Sequence, residues 1–375
     1  MDNNIMDNKS NIMSQYDHDS AIYQQFTQEV EHLLKNLISN KNIDYNAITC
    51  RLKDRKSLSE KIDRKNGKYN SLKDLTDIAG VRVITYYAED VDKVADIVEH
   101  EFKVDHDNSI DKGKALEPDR FGYCSVHYVV EMSDKRLELS EYQSFSRLKC
   151  EIQIRSVLQH AWAEIEHDLG YKSEIAIPKT VRRGFSRLAG LLEIADKEFQ
   201  DIRRSLSNYE SEVPKIIENN EDVEIDAVLL SELAKTNKDI IAINEKIKTI
   251  WGLEFDSNMK PSSVFESSVS YLQWFKINTL NQLYKFVKRN GDCAVKIAEI
   301  IFKDNLKLQK QQILYKNMAF LYLCYAELVL NEKSYNKKSF EEFFCHCFES
   351  LTPESHKKAA QYIITIRETM KQTIN

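Results

Sequence analysis

The sequence predicts an α/β domain built on a mixed sheet, followed by an all-α domain. Its 375 residues are enough for two domains of ordinary size. Apolar patterns in residues 1–175 follow the order helix, strand, helix, long polar loop, strand, strand, helix, which is typical of a sheet flanked by helices. Seven of the nine glycines precede Leu191, so the second half of the chain has few breakers and is expected to be helical.

Local periodicity predicts the elements of the first domain. VRVITYY at 81–87 is rich in β-branched and aromatic residues, as a buried strand requires. Apolar residues recur at helical spacing between positions 26 and 37. Strands are expected over 81–87, 124–132 and 148–155, and helices over 23–38, 57–65, 90–102, 156–169 and 178–206.

Composition divides the rest of the chain. Residues 1–20 are polar and are expected to form a disordered leader before a domain at 21–208. Residues 209–226 are acidic and contain Pro214, which favours a linker. Residues 227–375 follow as a helical domain whose only breakers are Gly252, Pro261, Gly291 and Pro353. About six helices are expected there, over the apolar-periodic runs 229–250, 264–288, 293–303, 311–331, 338–350 and 355–371.

Composition also excludes several classes of protein. There is no run of about 18 apolar residues, which excludes a membrane span, and the polar start is not a secretory signal. Seven cysteines without a C-x-x-C pair indicate neither a disulfide framework nor a zinc site. The formal net charge of −6 argues against a nucleic-acid coat protein. We therefore expect a cytoplasmic protein that does not enter a membrane.

One segment of the first domain is strongly basic. Between Arg51 and Lys73 the net charge is +6. Its donors recur at short spacing and can bind one polyanion together, although a solvated basic face has the same pattern. The candidate donors are Arg51, Lys53, Arg55, Ser57 and Lys61.

Two carboxylates accompany predicted strands. Asp77 lies just before the strand at 81–87, where it can hold a metal ion or cap a turn. Glu151, Gln153 and Arg155 share one face of the strand at 148–155 by period two, as the residues of a ligand site or of an exposed sheet face would.

Aromatic and imidazole side chains mark the predicted strand at 124–132 and the helix at 156–169. Tyr123 and His127 share a face with Ser125, which suits stacking on a base and hydrogen bonding, or a half-buried aromatic strand. In the helix at 156–169, His160 and Glu164 lie on one face. A zinc site could have this pattern, but a hydrogen-bonded surface is the stronger expectation.

Together these clusters describe Mg²⁺-dependent chemistry on nucleotides. Mg²⁺ takes one or two carboxylates plus substrate phosphates, so Asp77 and Glu151 are sufficient ligands. The sequence contains neither a G-x-x-x-x-G-K-[ST] loop nor the protein-kinase signatures, which excludes both of those phosphate sites.

Five segments resemble, in order and spacing, the synthetase domain of the RelA/SpoT family and its single-domain members, the small alarmone synthetases. They are RLKDRKSLSEK at 51–61, DIAGVR at 77–82, GYCSVH at 122–127, EIQIR at 151–155 and HAWAEIEHDLGYK at 160–172. The resemblance covers residues 25–205 and implies a nucleotidyltransferase-like α/β fold for them. Residues 227–375 lie outside it.

The resemblance implies a reaction and the residues that perform it. The enzyme would transfer the β,γ-pyrophosphoryl group of ATP to the ribose 3′-hydroxyl of GDP or GTP, yielding AMP and the stringent-response alarmones ppGpp or pppGpp, without hydrolase activity. Asp77 and Glu151 would hold Mg²⁺, and Glu151 would help to deprotonate the attacking hydroxyl. ATP would be bound by Arg51, Lys53, Ser57 and Lys61, with Arg55 near the adenine; the acceptor would be bound by Arg120, Tyr123, His127, Gln153 and Arg155.

The acceptor loop departs from the family pattern. Most relatives have a lysine and an asparagine before the Gly-Tyr pair, where this chain has Asp119, Arg120 and Phe121. Arg120 can replace the lysine's charge, but Phe121 cannot hydrogen-bond a guanine edge. Two other functions therefore stay open: a toxin that pyrophosphorylates the 3′ end of tRNA, and an inactive nucleotide-sensing module. Self-association is also expected, through the helix at 180–206.

Overall fold

The chain forms two compact units, Met1–Ser205 and Leu206–Asn375, each with its own apolar core. The computed structural model describes residues 2–65, 67–111, 125–171, 178–255, 261–304 and 315–374. The first unit contains a mixed sheet flanked by helices and the second is helical. This confirms the predicted fold class.

Within the described residues, the first unit contains a six-stranded sheet and six α-helices. The sheet order is β1-β2-β6-β5-β3, with β4 also paired to β5. β2 and β6 are parallel, and the other pairs are antiparallel. The strands are β1 (Tyr45–Leu52), β2 (Ala79–Thr85), β3 (Phe102–Val104), β4 (Ile110–Asp111), β5 (Val126–Met132) and β6 (Cys150–Ser156). The helices are α1 (Asp2–Asn40), α2 (Arg55–Arg64), α3 (Ala88–Glu101), α4 (Asp134–Leu137), α5 (Val157–Tyr171) and α6 (Lys179–Glu218), whose residues after Ser205 belong to the second unit.

The two faces of the central strands differ in polarity. Along β2 and β6, Val81 and Ile152 point into the core, on which α1 and α3 pack. Their neighbours Arg82 and Gln153 therefore point to the other face, because side chains alternate along a strand. Period two predicted both faces of β6, whereas the strand at 81–87 was expected only to be buried.

Strand β1 was not expected from the sequence. It pairs with β2 at one edge of the sheet, and Ile48 is its only fully buried side chain. An edge strand with one covered position has little apolar signal, which explains why sequence periodicity missed it. The strand matters for function because its last two residues, Arg51 and Leu52, begin the basic segment.

The expected disordered leader at 1–20 is wrong, because α1 begins at Asp2. Ile12, Met13 and Tyr16 are buried in the core of the first unit. These apolar residues are too sparse among polar ones for composition to reveal, but their spacing places them on one helical face.

The expected acidic linker at 209–226 is also largely helical. Helix α6 continues through Pro214 to Glu218, so only residues 219–226 connect it to the next helix. Val213 is fully buried in the core of the second unit, and the Tyr209 hydroxyl donates to Asp226. This packing outweighs the one backbone hydrogen bond that a proline removes from a helix.

The described part of the second unit has seven helices rather than about six. The run at 229–250 is divided at Asn237, whose side chain caps a new helix by accepting from two backbone N–H groups. Gly291 does not break its helix: its Cα lies so close to Ile243 that an added Cβ would stand 3.3 Å from the Ile243 Cδ1. The helices are α7 (Ala227–Thr236), α8 (Lys238–Trp251), α9 (Pro261–Trp274), α10 (Leu280–Asp304), α11 (Met318–Leu330), α12 (Lys337–Cys347) and α13 (Pro353–Ile374).

The other three expected breakers act as predicted. Gly252 ends α8 with a φ of +61°, a backbone conformation that glycine adopts without strain. Pro261 and Pro353 each begin a helix, where a proline costs no hydrogen bond. In the described part of the chain, none of the helices has the length and apolarity that a membrane crossing requires.

Candidate active site

A cavity of about 200 Å³ opens on the polar face of β1, β2 and β6. It brings together two arginines and both carboxylates that the sequence analysis selected. Its polar lining includes Arg51, Arg82, Asp77, Glu151 and Gln153.

Strand register places the lining residues in two rows across the sheet. Arg51, Gly80 and Glu151 are direct neighbours on β1, β2 and β6. The Arg51 side chain packs beside Gly80, where an added Cβ would lie 3.6 Å from the Arg51 Cγ, an ordinary van der Waals contact. In the next row, Gln153 lies between Arg82 on β2 and His127 on β5. Arg51 and Arg82 thus flank one edge of the cavity, and Glu151 faces them.

Asp77 is held between two lysines from the basic segment. Its Oδ2 lies 3.0 Å from Lys53 Nζ and 2.7 Å from Lys61 Nζ. All three side chains are mostly buried, so their charges are screened less than surface charges are. Asp77 Oδ1 is buried and, among the described residues, has no hydrogen-bond partner. This cluster combines two cations with a carboxylate oxygen that can take a further ligand.

Glu151 is the second polar centre of the site. Its Oε1 lies 3.0 Å from His127 Nδ1, and its Oε2 accepts from Gln153 Nε2 at 3.0 Å. Burial acts to raise the pKa of Glu151, but the hydrogen bonds from His127 and Gln153 and the charges of His127 and Lys61 outweigh it and lower that pKa to about 2. Glu151 is therefore an anion at every pH at which the protein would work.

A chain of polar contacts extends from Glu151 along β6. Arg155 donates to Gln153 Oε1 at 2.8 Å, so the three polar residues of β6 that the sequence placed on one face are joined by hydrogen bonds. Arg155 is buried and forms the inner end of the chain. Gln153 and Arg155 thereby hold the Glu151 carboxylate in one orientation.

Sequence reasoning did not assign Arg82 to the site, and it placed Glu164 with His160 rather than in this cavity. Arg82 and Glu164 form an ion pair of 2.8 Å, and both line the cavity. His160 Nδ1 lies 3.7 Å from the same carboxylate, and no group of three or more potential metal ligands occurs in the part of the chain described. His160 Nδ1 has no hydrogen-bond partner among the described residues, so both expectations for that helix stay predictions. The DIAGVR segment already contained Arg82, but only strand register shows that it faces Gln153.

Two of the predicted donor-site residues, Arg55 and Ser57, do not line the cavity and are paired with other side chains. Arg55 is largely exposed and forms a two-bond ion pair with Asp17 of α1, at 2.9 and 3.1 Å. Ser57 bonds to Asp54 through both its backbone N–H and its hydroxyl, which begins α2 with a side-chain cap. Among the predicted acceptor-site residues, Arg120 and Tyr123 lie outside the described residues.

This α/β unit has a small cavity lined by arginines and carboxylates, one of which is paired with two lysines, and these are features of an enzyme that handles nucleotide phosphates. Residues 50–176 match the family model described as "Region found in RelA / SpoT proteins". The chain is 30% identical over 159 residues to the GTP pyrophosphokinase YjbM of Bacillus subtilis, which covers 42% of this chain and 71% of that protein. The chain belongs to the RelA/SpoT family.

Other relatives match the same half of the chain. The GTP pyrophosphokinase YwaC of Bacillus subtilis is 27% identical over 215 residues, covering 54% of this chain and 96% of that protein. The crystal structure of small alarmone synthetase 1 from Bacillus subtilis is 26% identical, with a TM-score of 0.44, and covers 52% of this chain and 99% of its own.

Proposed function

We propose that this enzyme is a GTP pyrophosphokinase that transfers the β,γ-pyrophosphoryl group of ATP to the ribose 3′-hydroxyl of GDP or GTP. The products would be AMP and ppGpp or pppGpp. The observation that carries the proposal is the cavity that joins the Asp77–lysine cluster to the Glu151 network. The names of both curated relatives support the same activity.

The donor nucleotide is assigned to the β1 side of the cavity, where Asp77 of the lining is paired with Lys53 and Lys61. Lys53 and Lys61 supply two cations for the ATP phosphates, and Arg51 adds a planar guanidinium that can bind phosphate with two hydrogen bonds. Arg82 lies on the same side and is available to the nucleotide when its pair with Glu164 opens. Such a set of fixed charges lowers the barrier for phosphoryl-type transfer by positioning the donor and neutralising its charge.

The two carboxylates fit a magnesium site. Asp77 and Glu151 line the same cavity, and Asp77 Oδ1 has no protein partner among the described residues. Carboxylate oxygens are the ligands Mg²⁺ prefers, and two of them suffice when substrate phosphates complete the coordination. A bound Mg²⁺ would neutralise charge on the transferring group. Lys53 and Lys61 would then turn from Asp77 toward the phosphates.

Glu151 and His127 are assigned to the acceptor. With a pKa of about 2, Glu151 orients the attacking hydroxyl as an ionised hydrogen-bond acceptor more effectively than it removes the proton as a strong base. His127 Nε2 is buried and, within the described residues, has no partner, so it can donate to or accept from an acceptor oxygen. Gln153 and Arg155 would keep both groups in place.

The acceptor's identity depends on the loop that contains Arg120 and Tyr123. In the proposal, Tyr123 stacks on the guanine and Arg120 replaces the lysine usual in relatives. The 3′ end of tRNA is the alternative acceptor, since the basic segment from Arg51 to Lys73 carries a net charge of +6. Both acceptors present a ribose hydroxyl to Glu151, so the donor side would be the same for either.

The test incubates the full chain and Mg²⁺ with ATP labelled at the γ-phosphate, with GDP, GTP or bulk tRNA in parallel. Label in a guanine nucleotide, absent with Glu151→Gln, supports the proposal. Label in tRNA alone favours the alternative acceptor. Label in neither, with ATP still bound, favours the nucleotide-sensing module. A parallel incubation with labelled ppGpp checks the expectation that the product is not hydrolysed.

We also propose that two copies of the chain associate through α6. The observation that favours this is an exposed apolar stripe along one side of that helix, whose successive members are three to five residues apart. Light scattering should give twice the monomer mass, and charged substitutions such as Leu191→Glu should restore the monomer. The stripe contains Leu188, Leu191, Ile194, Phe199, Ile202 and Leu206.

A further inference from the structure

The first half of α1 packs on the segment that carries the donor-site lysines. Residues 9–17 of α1, which we call the N-terminal strap, present Ile12, Met13 and Tyr16 to the core of the first unit. Leu58 and Ile62 of α2 are buried in the same core. This face of the strap therefore belongs to the same apolar stripe through which the rest of α1 packs on the sheet.

Two ion pairs attach the strap to opposite ends of α2. Asp17 binds Arg55 in the first turn of α2, and Lys9 binds Asp63 near its end, at 2.6 and 2.7 Å. Lys61 lies between these two points, on the turn before Arg64. The helix that presents Lys61 to Asp77 is thus held at both ends by the strap.

The strap also contacts the backbone of Lys53. The Tyr16 hydroxyl donates to the Lys53 carbonyl at 2.5 Å, and the Lys53 N–H donates to the Ile78 carbonyl at 2.9 Å. Both backbone groups of Lys53 are therefore occupied. One partner is Tyr16 of α1, and the other is Ile78, the residue that follows Asp77. The backbone of Lys53 is thereby held in place, and this fixes the position from which its side chain reaches Asp77.

From these contacts we infer that Tyr16 is a positioning residue for the donor nucleotide, acting through Lys53. The inference rests on the proposed function, since it takes Lys53 and Lys61 as ligands of the ATP phosphates. Loss of the Tyr16 hydroxyl frees the Lys53 carbonyl and lets the junction between β1 and α2 move. ATP then binds less tightly, while the acceptor side, built on β5 and β6, is unaffected.

The test compares Tyr16→Phe with Tyr142→Phe in the full chain. Tyr142 is the control, because it lies in the same unit and its hydroxyl also donates to one partner, Glu29, at 3.1 Å. Each variant keeps its ring, and thermal unfolding of both establishes that they are folded. The measurements are equilibrium binding of ATP without acceptor, and the KM for ATP and for the guanine nucleotide.

Tyr16→Phe should weaken ATP binding and raise the KM for ATP about three- to tenfold, the effect of one lost hydrogen bond, with the acceptor KM and kcat within about twofold. Tyr142→Phe should change none of them. Equal ATP binding by wild type and Tyr16→Phe would overturn the inference, as would equal losses in both variants. If the wild type itself binds no ATP, the proposed function fails first, and this outcome is distinct from the other two.

Discussion

Two glutamates, one in each unit, show what separates a functional carboxylate from a structural one. Glu151 in the α/β unit and Glu327 in the helical unit both accept hydrogen bonds from neighbouring side chains. Glu327 is 4% exposed and is held by Arg289 and two asparagines inside the α-helical packing. Glu151 instead lines a cavity that two arginines share.

The difference teaches that burial and pairing do not identify a site. A buried carboxylate with a complete set of partners stabilises the fold, because removing it leaves a donor unsatisfied. A carboxylate that faces an open cavity and further cations can still interact with a ligand. The helical unit's other polar residues follow the structural pattern: Asn244 bonds to Lys316 and Ala319, and Asn317 bonds to Val264.

The largest effect is expected for Glu151→Gln. The neutral amide cannot act as an ionised acceptor or bind Mg²⁺ well, so the rate of pyrophosphoryl transfer should fall by about 10³-fold or more. Labelled product formation measures the rate, at a temperature at which thermal unfolding shows the variant to be folded. If Glu151→Gln kept activity within tenfold of wild type, Glu151 would not be a functional carboxylate and would not differ from Glu327 in that respect.

Glu327→Leu should lower the stability of the protein and leave its transfer activity nearly unchanged, the opposite of the result expected for Glu151→Gln. Asn290 then loses its carboxylate acceptor in a buried position, which should lower the free energy of unfolding by about 2 kcal/mol. Chemical denaturation measures that loss. Transfer activity at a temperature where the protein is folded should stay within about twofold, and a large loss of activity there would contradict the structural assignment.

A smaller effect is expected on the donor side for Lys61→Met. Removing one of the two cations at Asp77 should weaken ATP binding about tenfold, since the apolar stem remains but a charged hydrogen bond is lost. Lys56→Met is the matched control, because Lys56 lies on the same helix and is exposed. Equilibrium ATP binding should separate the two variants, and equal weakening by both would indicate a general charge effect.

The smallest effect, on the free energy of unfolding, is expected for a third carboxylate, Asp196. It is 6% exposed and accepts a hydrogen bond from the Ser156 hydroxyl at 2.9 Å. Burial raises its pKa, although the Ser156 hydrogen bond acts in the opposite direction. A carboxyl whose pKa is raised in the folded state contributes stability below its unfolded pKa and loses it as pH rises. Asp196→Asn should therefore raise the free energy of unfolding by up to about 1 kcal/mol at pH 7.

The pH dependence supplies the control for that variant. Below about pH 4 the wild-type carboxyl is mostly protonated in both states, so the stability difference between the two proteins should become small. Thermal unfolding at pH 7 and at pH 3.5 makes the comparison. A gain that is the same at both pH values would show that charge is not its cause.

Several features of the site could be predicted from the sequence because they depend on local pattern. Period two placed Glu151, Gln153 and Arg155 on one face of a strand, and the structure joins them by hydrogen bonds. The family resemblance, carried by five short segments, is confirmed by the match over residues 50–176. Roles for individual residues, Arg120 and Tyr123 among them, stay predictions.

Other features required long-range information. Nothing local shows that Lys53, Lys61 and Asp77 meet, because they come from the end of a strand, a helix and a loop. The same holds for Arg82 and Glu164, which come from β2 and α5. The N-terminal strap was missed for a related reason: its polar composition indicates disorder unless a packing partner is known.

The sequence by itself determined the α/β and all-α classes, the alternation of polar and apolar side chains along the central strands, and the family. These depend on intervals of two to four residues, which secondary structure converts directly into faces. Only the tertiary structure decided which polar faces meet at the cavity, that Asp17 binds Arg55, and that α6 continues through Pro214. Those outcomes depend on the free energy of burying surfaces from distant parts of the chain, which no local interval encodes.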